Sequence, residues 1–302
     1  MRTAYLGTSD FAATVLRRLA ASSHRPALVV TPPDRRQGRG RKVSPPPAAV
    51  TARELGLELL QAENVNDDEA LARIRAAQPQ AVVVCAFGQL IREPLLSEYP
   101  MLNVHPSLLP RWRGAAPIER AIMARDERTG VCVMRLTEGL DSGPVALRAE
   151  TAIDPDEDFG ALSARLAELG GDLLVRALDL QAEGALEFTE QDEAGVTYAE
   201  KIGSAERRLD PDRPAVELAA KVRALTPHVG AYLELPGDDR LGVREARAVE
   251  AGDDLAPGQL AERDGALLLG TGEGALRLEV VQPAGGKPMP VDAYLRGHPL
   301  SG

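Results

Sequence analysis

The sequence NVHPSLLPRWRGAAP, residues 103–117, determines the fold that we predict for this chain. It follows the apolar segment 81–87 and begins on a shorter apolar piece, 101–105, and both segments are typical of buried parallel strands. The second strand delivers Asn103 and His105 to its carboxyl end, where a stiff loop with three prolines follows. Open α/β sheets present polar groups to ligands at such strand ends. We therefore predict an α/β chain with a Rossmann-like, mostly parallel sheet.

A second polar turn, residues 137–143, follows the apolar segment 131–136 and is expected to lie beside the first loop in the parallel sheet. It places Asp141 between two glycines, which allow the backbone to approach a ligand closely. An isolated Asn-x-His at a strand end is more often a structural hydrogen-bonding pair than a catalytic one. Together with Asp141, however, Asn103 and His105 supply an oxyanion donor, a proton-handling group and a carboxylate partner. This combination predicts acyl-group transfer.

Six segments, distributed over nearly the whole chain, carry a resemblance to a known family. They are GTSDFA (7–12), PDRRQGRGRK (33–42), NVHPSLLPRWRGAAPIERAI (103–122), TEGLDSGPV (137–145), TYAEKI (197–202) and QPAGGKPM (282–289). The chain resembles the formyltransferases that use 10-formyltetrahydrofolate as the formyl donor. The central segment is specific for folate-dependent formyl transfer. The flanking segments restrict which molecules can be the formyl acceptor.

The resemblance implies roles for the three polar residues. Asn103 and His105 are expected to donate hydrogen bonds to the formyl oxygen as the acceptor amine attacks the formyl carbon. Asp141 is expected to orient His105, to favour its protonated form and to help accept the amine proton. No metal is expected, because no residues have metal-ligand spacing.

The resemblance also implies a folate pocket beside the catalytic residues. The residues expected to line it are Ser107, Leu108, Leu109, Pro110, Phe87, Leu90 and Ile91. For the last three, taken singly, a plain core position is an equally good interpretation.

Basic residues cluster in one segment of an otherwise acidic chain. The net charge of −10 and the pI near 5.1 argue against a nucleic-acid partner for the chain as a whole. The segment 32–47, however, is rich in Arg and is long for a connection between a strand and a helix. The resemblance implies initiator methionyl-tRNA as the acceptor, and the residues expected to contact it are Arg36, Arg39, Arg41 and Lys42. A solvated loop without a partner is the alternative interpretation.

Length and composition predict two domains. The 302 residues are 44% hydrophobic and can bury a large core. We predict a catalytic domain over residues 1–189, a linker over 190–213 and a C-terminal domain over 214–302. In the last segment, short alternating runs separated by Gly, Asp and Pro predict a small antiparallel β-barrel. The runs cover residues 231–235, 241–249, 258–263, 266–269 and 275–281. The resemblance implies that this barrel is OB-like.

Cap residues and apolar periodicity predict the main helices. Ser9 or Asp10 is expected to cap a helix over 11–21, and Asn66 to cap a helix over 67–77. Leucines at helical spacing predict a long, core-packed helix over 159–183.

The sequence also predicts a compartment. Cys85 and Cys132 fall in apolar, strand-like segments and are expected to be core residues in a reducing environment. No apolar run reaches membrane-spanning length, and Met1 leads directly into a strand. We therefore expect a cytoplasmic protein that works as a monomer without a membrane partner.

Three alternatives share part of this pattern. A formyltransferase acting on a sugar nucleotide or glycinamide ribonucleotide, and a formyl-folate hydrolase, would share the central segment. The basic segment and QPAGGKPM favour tRNA over these acceptors. A non-catalytic RNA- or folate-binding protein is the third alternative, but a binding protein does not need Asn103, His105 and Asp141 together.

Overall fold

The structure is a computed structural model that describes residues 1–37, 42–235, 239–250, 255–263 and 265–298. Two of the predicted tRNA contacts, Arg39 and Arg41, lie outside the described residues.

The described residues form short strands and helices of 4 to 24 residues. The strands are β1 (Thr3–Gly7), β2 (Pro26–Thr31), β3 (Arg35–Gln37), β4 (Lys42–Ser44), β5 (Leu59–Gln61), β6 (Ala81–Cys85), β7 (Met101–His105), β8 (Arg113–Gly114), β9 (Arg128–Arg135), β10 (Val145–Ala152), β11 (Tyr198–Ala199), β12 (Ala231–Glu234), β13 (Arg240–Val249), β14 (Leu260–Arg263), β15 (Ala266–Gly270), β16 (Ala275–Gln282) and β17 (Met289–Pro290). The helices are α1 (Asp10–Ala20), α2 (Pro47–Glu54), α3 (Asp68–Ala76), α4 (Leu95–Glu98), α5 (Pro117–Met123), α6 (Phe159–Ala182), α7 (Ala215–Leu225) and α8 (Val291–Gly297), with a 3₁₀ turn at Ala205–Arg207.

The main sheet has the strand order β10–β9–β7–β6–β1–β2–β5. Strands β5, β2, β1, β6 and β7 are parallel neighbours, which confirms the mostly parallel sheet. Strands β1, β6 and β7 are buried along their whole length, as expected for apolar runs covered on both faces. The strand order reverses between β1 and β6, so their carboxyl ends form a topological switch point where ligands bind in such sheets.

Strand β9 runs antiparallel to β7, with Cys132 opposite His105. The expected parallel arrangement of the segment 131–136 is therefore wrong. The reason lies in the connection between the two strands. The loop after β7 turns back to it, since the carbonyl of Trp112 meets the His105 ring. The chain enters β9 at the end where β7 finishes, because Cys132, inside β9, lies opposite His105, the last residue of β7.

Two predicted helix caps had different outcomes. The Ser9 side chain caps α1 by accepting a hydrogen bond from the Ala12 amide at 3.3 Å, as predicted. Helix α3 instead has Asp67 at its N-cap position, so the expectation that Asn66 caps this helix is wrong. The side-chain oxygen of Asn66, which a cap would need, accepts instead from the backbone amide of Arg92 at 2.8 Å.

The described chain divides into two compact units that are interleaved in sequence. The first unit contains the described part of residues 1–114 together with residues 128–151 and 163–198. The second unit contains residues 115–127, 152–162 and the described part of 199–302. The continuous domain bounds 1–189, 190–213 and 214–302 stay a prediction.

The second unit is built on an antiparallel sheet. Its strand order is β12–β13–β16–β15–β14, and β17 also pairs with β16. The observed strands match the predicted alternating segments within about two residues, which is the usual uncertainty of strand ends. Leu218, Val222 and Leu225 of α7 belong to the apolar cluster that includes the buried side chains of this sheet. Within the described residues, no helix is both long and apolar enough to cross a membrane.

Candidate active site

The side chains of Asn103, His105 and Asp141 meet at one place in the first unit. Asn103 and His105 lie two residues apart on β7, so they project from the same face, and both are more than nine-tenths buried. Asn103 Nδ2 lies 3.4 Å from Oδ1 of Asp141. His105 Nδ1 lies 3.6 Å from Oδ2 of the same carboxylate. The structure therefore brings the three predicted catalytic residues into one polar cluster.

The imidazole of His105 is held by the loop that follows its strand. Nε2 lies 2.9 Å from the carbonyl oxygen of Trp112. A carbonyl oxygen only accepts hydrogen bonds, so Nε2 carries the hydrogen. In the neutral ring Nδ1 then has a lone pair, and its separation from Asp141 is longer than a hydrogen bond. Nδ1 is therefore the ring nitrogen placed to exchange a hydrogen with a substrate.

The carboxylate of Asp141 is fixed by a backbone amide. Gly114 N–H donates to Oδ2 at 2.8 Å. Asp141 itself has a φ of +45°, a left-handed conformation that aspartate adopts more readily than most residues other than glycine but still at a cost. Strand β9 ends opposite Leu102, near the start of β7. The turn 137–143 therefore has to fold back along β7 for Asp141 to reach His105.

Gln191 is a site residue that the sequence did not predict, since it lies in the predicted linker. Its Nε2 donates to the carbonyl of Asp141 at 2.8 Å and to the carbonyl of Gly143 at 2.7 Å. Its Oε1 accepts a hydrogen bond from Nε of Arg113 at 3.0 Å. No pattern of spacing or polarity around Gln191 points to these contacts. The local patterns of apolar and polar residues that locate the strand ends therefore do not identify Gln191.

Thr197 supports the loop before Gly114 from the same predicted linker. Its Oγ1 accepts from the amide of Trp112 at 2.9 Å, and its carbonyl accepts from the amide of Arg113 at 2.9 Å. The segment TYAEKI, which begins at Thr197, is the sequence signal for this contact. The backbone on either side of the Trp112 carbonyl is thus anchored where it meets His105.

Neither cysteine is a candidate nucleophile. Burial raises the pKa of the Cys85 thiol to about 12 and raises the pKa of Cys132 from its ordinary value. Both are free thiols, buried as predicted. Because the thiolate is the reactive form, neither reacts readily near neutral pH. Within the part of the chain that is described, no group of His, Cys, Asp or Glu side chains is arranged to hold a metal ion.

Comparison with known proteins identifies the family. The family model "Formyl transferase" matches residues 1–178, and "Formyl transferase, C-terminal domain" matches residues 201–299. Methionyl-tRNA formyltransferase of Halorhodospira halophila is 44% identical over 302 residues, covering 99% of this chain and 97% of that protein. The same enzyme of Methylobacillus flagellatus is 43% identical over 304 residues, with 99% and 97% covered. The chain belongs to the methionyl-tRNA formyltransferase family.

More distant solved structures share the fold. HypX of Aquifex aeolicus in complex with tetrahydrofolic acid matches with a TM-score of 0.66 at 20% identity, over 98% of this chain and 47% of that one. An N-formyltransferase of Helicobacter canadensis, in complex with folinic acid and dTDP-3-aminofucose, matches with a TM-score of 0.67 at 12% identity. It covers 91% of this chain and 98% of that one. At 20% and 12% identity, these two comparisons show a shared fold and nothing more specific.

The loop after His105 is packed tightly at its base. Ser107 is fully buried, and its hydroxyl donates to the carbonyl of Arg111 at 2.7 Å. Leu109 is buried in a small cluster with Cys132, Met134 and Val145. Two other predicted folate residues, Leu108 and Pro110, are half-buried. The loop therefore has a rigid, internally bonded base and partly exposed residues between its anchors.

The segment after β6 lies at the topological switch point. The Thr8 hydroxyl, just after β1, donates to the carbonyl of Phe87 at 2.7 Å and so joins the two strand ends. Phe87 and Ile91 are buried and belong to a large apolar cluster of the first unit. Leu90 is 63% exposed, so of these three predicted folate residues it is the one open to a partner.

The basic segment contains a short antiparallel hairpin rather than an irregular loop. Strands β3 and β4 pair with Arg36 opposite Val43. Arg36 is exposed, while only the backbone of Lys42 is described. Val43 is 55% exposed, so the hairpin presents an apolar side chain as well as basic ones.

Proposed function

We propose that this chain transfers the formyl group of 10-formyltetrahydrofolate to the α-amine of methionine on initiator tRNA, producing N-formylmethionyl-tRNA. The observation that carries the proposal is the cluster of Asn103, His105 and Asp141. It occurs in a chain whose near-full-length relatives are methionyl-tRNA formyltransferases. An amide donor, an imidazole and a carboxylate are the groups that acyl transfer to an amine needs. The folate supplies the formyl group.

Asn103 stabilises charge on the formyl oxygen. Negative charge develops on that oxygen when the amine attacks the formyl carbon. The Nδ2 group of Asn103 has two hydrogens, and its contact with Asp141 is long, at 3.4 Å. A second hydrogen is therefore available to the formyl oxygen. One such preorganised donor contributes about 2.7–4 kcal/mol to transition-state stabilisation.

His105 acts through Nδ1. Its Nε2–H stays bonded to the Trp112 carbonyl, so the ring cannot rotate without breaking that bond. When the ring is protonated, Nδ1–H is a second donor for the formyl oxygen, and the Asp141 carboxylate lies 3.6 Å from that nitrogen. The attacking amine has to lose a proton, and Asp141 accepts it, directly or through a water molecule. The bond between the formyl carbon and the folate nitrogen then breaks, and that nitrogen takes up a proton in exchange. Tetrahydrofolate leaves, and the amine carries the formyl group.

The residues beside this cluster fit a folate. The carboxyl ends of β1 and β6 form the switch point, and the Thr8–Phe87 hydrogen bond closes its base. The exposed Leu90 and the half-buried Leu108 and Pro110 offer apolar surface to the flat rings of the folate. Backbone groups of the loop between Phe87 and Ile91 offer the polar contacts that a pterin needs. Ser107 and Leu109 shape the pocket by fixing the loop rather than by direct contact.

The basic hairpin is the proposed contact with tRNA. Arg36 is exposed on β3, and the predicted partners Arg39, Arg41 and Lys42 follow it in sequence. Exposed guanidinium groups suit the phosphates of an acceptor stem. We further propose that the chain works as a monomer in the cytoplasm. The two buried free thiols, Cys85 and Cys132, are consistent with a reducing compartment.

A formyl-transfer assay against several acceptors tests the proposed function. The acceptors are methionyl initiator tRNA, methionyl elongator tRNA, uncharged initiator tRNA, an amino-sugar nucleotide and glycinamide ribonucleotide, each with 10-formyltetrahydrofolate. We expect rapid transfer to methionyl initiator tRNA and little transfer to the others. Faster transfer to the sugar nucleotide or to glycinamide ribonucleotide would contradict the assignment of methionyl initiator tRNA as the acceptor. Release of formate without any acceptor would instead show a hydrolase, and folate or tRNA binding without turnover would show a binding protein.

A further inference from the structure

The turn that carries Asp141 needs support from outside itself. Asp141 has a φ of +45°, a left-handed conformation that aspartate adopts more readily than most L-residues but still at a cost. Gly143, two residues later, lies directly beneath the carbonyl of Arg135, so the turn passes close to the end of β9. A shift of about 1 Å in a catalytic group can reduce a rate about 100-fold. Whatever holds this turn therefore affects the reaction at Asp141.

One amide group holds both sides of the turn. Gln191 Nε2 has two hydrogens, and it donates to the carbonyl of Asp141 at 2.8 Å and to that of Gly143 at 2.7 Å. The two carbonyls flank Ser142, so this single side chain clamps the backbone on both sides of it. Gly114 N–H meanwhile holds the carboxylate at 2.8 Å. Asp141 is thus held at its backbone and at its side chain by separate parts of the chain.

Arg113 determines the orientation of the Gln191 side-chain amide, that is, the positions of its oxygen and nitrogen. Its Nε donates to Gln191 Oε1 at 3.0 Å. If the amide were flipped, Oε1 would face two carbonyl oxygens and Nε2 would face a guanidinium, so all three contacts would become repulsive. Arg113 is only 5% exposed, and its Nη2 has no hydrogen-bond partner among the described residues. Burial of an incompletely bonded cation is costly, which makes a purely stabilising role a poor explanation for it.

We propose that Gln191 is the positioning residue of Asp141 and that Arg113 orients it. This inference rests on the proposed function, because it assigns Gln191 a role in the same formyl transfer. It predicts that the rate depends on the two hydrogens of Nε2. The contact with Arg113 alone is not sufficient.

Two substitutions separate these roles. Gln191→Glu keeps an oxygen for Arg113, and strengthens that contact as an ion pair, but loses both donors to the turn. Gln191→Met loses all three contacts at a similar side-chain length. We expect both variants to lower kcat about 10- to 100-fold with little change in the KM of the folate. Gln61→Met is the matched control, because Gln61 also accepts from an arginine, Arg53, and donates to a carbonyl, that of Pro32. It should keep the wild-type kcat.

A double-substitution cycle shows whether Gln191 acts through Asp141. We expect Gln191→Glu to lower kcat in the wild-type chain but to have almost no further effect in Asp141→Asn, since both changes remove the same interaction. A kcat for Gln191→Glu within about twofold of wild type would overturn the proposal, as would full additivity with Asp141→Asn. If Gln191→Met does not fold, as judged by circular dichroism and thermal melting, the kcat of Gln191→Glu alone tests the proposal. A wild-type chain that formylates no acceptor would contradict the proposed function, whereas an active wild type with unaffected Gln191 variants would contradict only this inference.

Discussion

His105 Nε2 donates a hydrogen bond to the backbone carbonyl of Trp112 at 2.9 Å, and this bond turns Nδ1 toward Asp141. The acceptor is a backbone carbonyl, so its position depends on the path of the loop and not on the rotation of a side chain. The path of the loop therefore sets the orientation of the ring. Thr197 anchors that loop on both sides of the Trp112 carbonyl. The chemistry proposed for Nδ1 therefore depends on residues nearly 90 positions away in the sequence.

Substitution of Asn103 should slow the chemical step without unfolding the chain. Asn103→Ala removes a donor to the formyl oxygen, and we expect kcat to fall about 100- to 1,000-fold. The KM of the folate should change little, because the lost contact forms in the transition state. Steady-state kinetics, with circular dichroism as the folding check, measures this. Near wild-type turnover would remove Asn103 from the mechanism.

Substitution of Asp141 by asparagine should slow formyl transfer. Asp141→Asn keeps the size of the side chain and its acceptor for the Gly114 amide but removes the carboxylate that accepts the amine proton. We expect kcat to fall about 100-fold or more, with little change in the KM of the folate, as for the loss of a general base. Steady-state kinetics measures both constants. A kcat within a few-fold of the wild type would leave Asp141 with a structural role only.

Adding a methyl group at position 143 should destabilise the protein and slow the reaction together. A Cβ on Gly143 would overlap the carbonyl of Arg135, so Gly143→Ala has to displace the turn that carries Asp141. We expect a loss of about 1–3 kcal/mol in the free energy of unfolding, together with a lower kcat. Gly203→Ala is the control, because a Cβ there meets only Glu206 Oε1, at 3.5 Å. Equal stability of the two variants in urea titrations would contradict the geometry of the turn.

Substitution in the basic hairpin should weaken tRNA binding in a salt-dependent way. If Arg36 contacts a phosphate, Arg36→Ala should reduce the slope of log affinity against log salt by about 0.9, with folate binding unchanged. Arg17→Ala is a suitable control, because Arg17 is similarly exposed but pairs with Glu54 on α2. Binding of methionyl initiator tRNA at several salt concentrations measures the slope. An unchanged affinity and slope would show that Arg36 is solvated and does not contact the tRNA.

The sequence predicted the cluster of Asn103, His105 and Asp141 because each residue lies at or after the end of an apolar strand. Periodicity located β7 and β9, and the amide, imidazole and carboxylate side chains found there indicated acyl transfer. The direction of β9 was mispredicted, because the path of residues 106–127 depends on packing rather than on periodicity. Gln191 could not be predicted at all. Its contacts with the Asp141 turn span about 50 residues and join two irregular segments.

The rate of a single turnover by His105→Ala tests the central claim most directly. Excess enzyme, saturated with 10-formyltetrahydrofolate, is mixed with methionyl initiator tRNA, and the N-formylmethionyl product is quantified over time. Single-turnover conditions exclude product release, so the measured constant reports formyl transfer itself. We predict a constant about 100- to 1,000-fold below that of the wild type, with tRNA and folate dissociation constants nearly unchanged. A constant within a few-fold of the wild type would contradict the claim that the cluster of Asn103, His105 and Asp141 carries out the transfer.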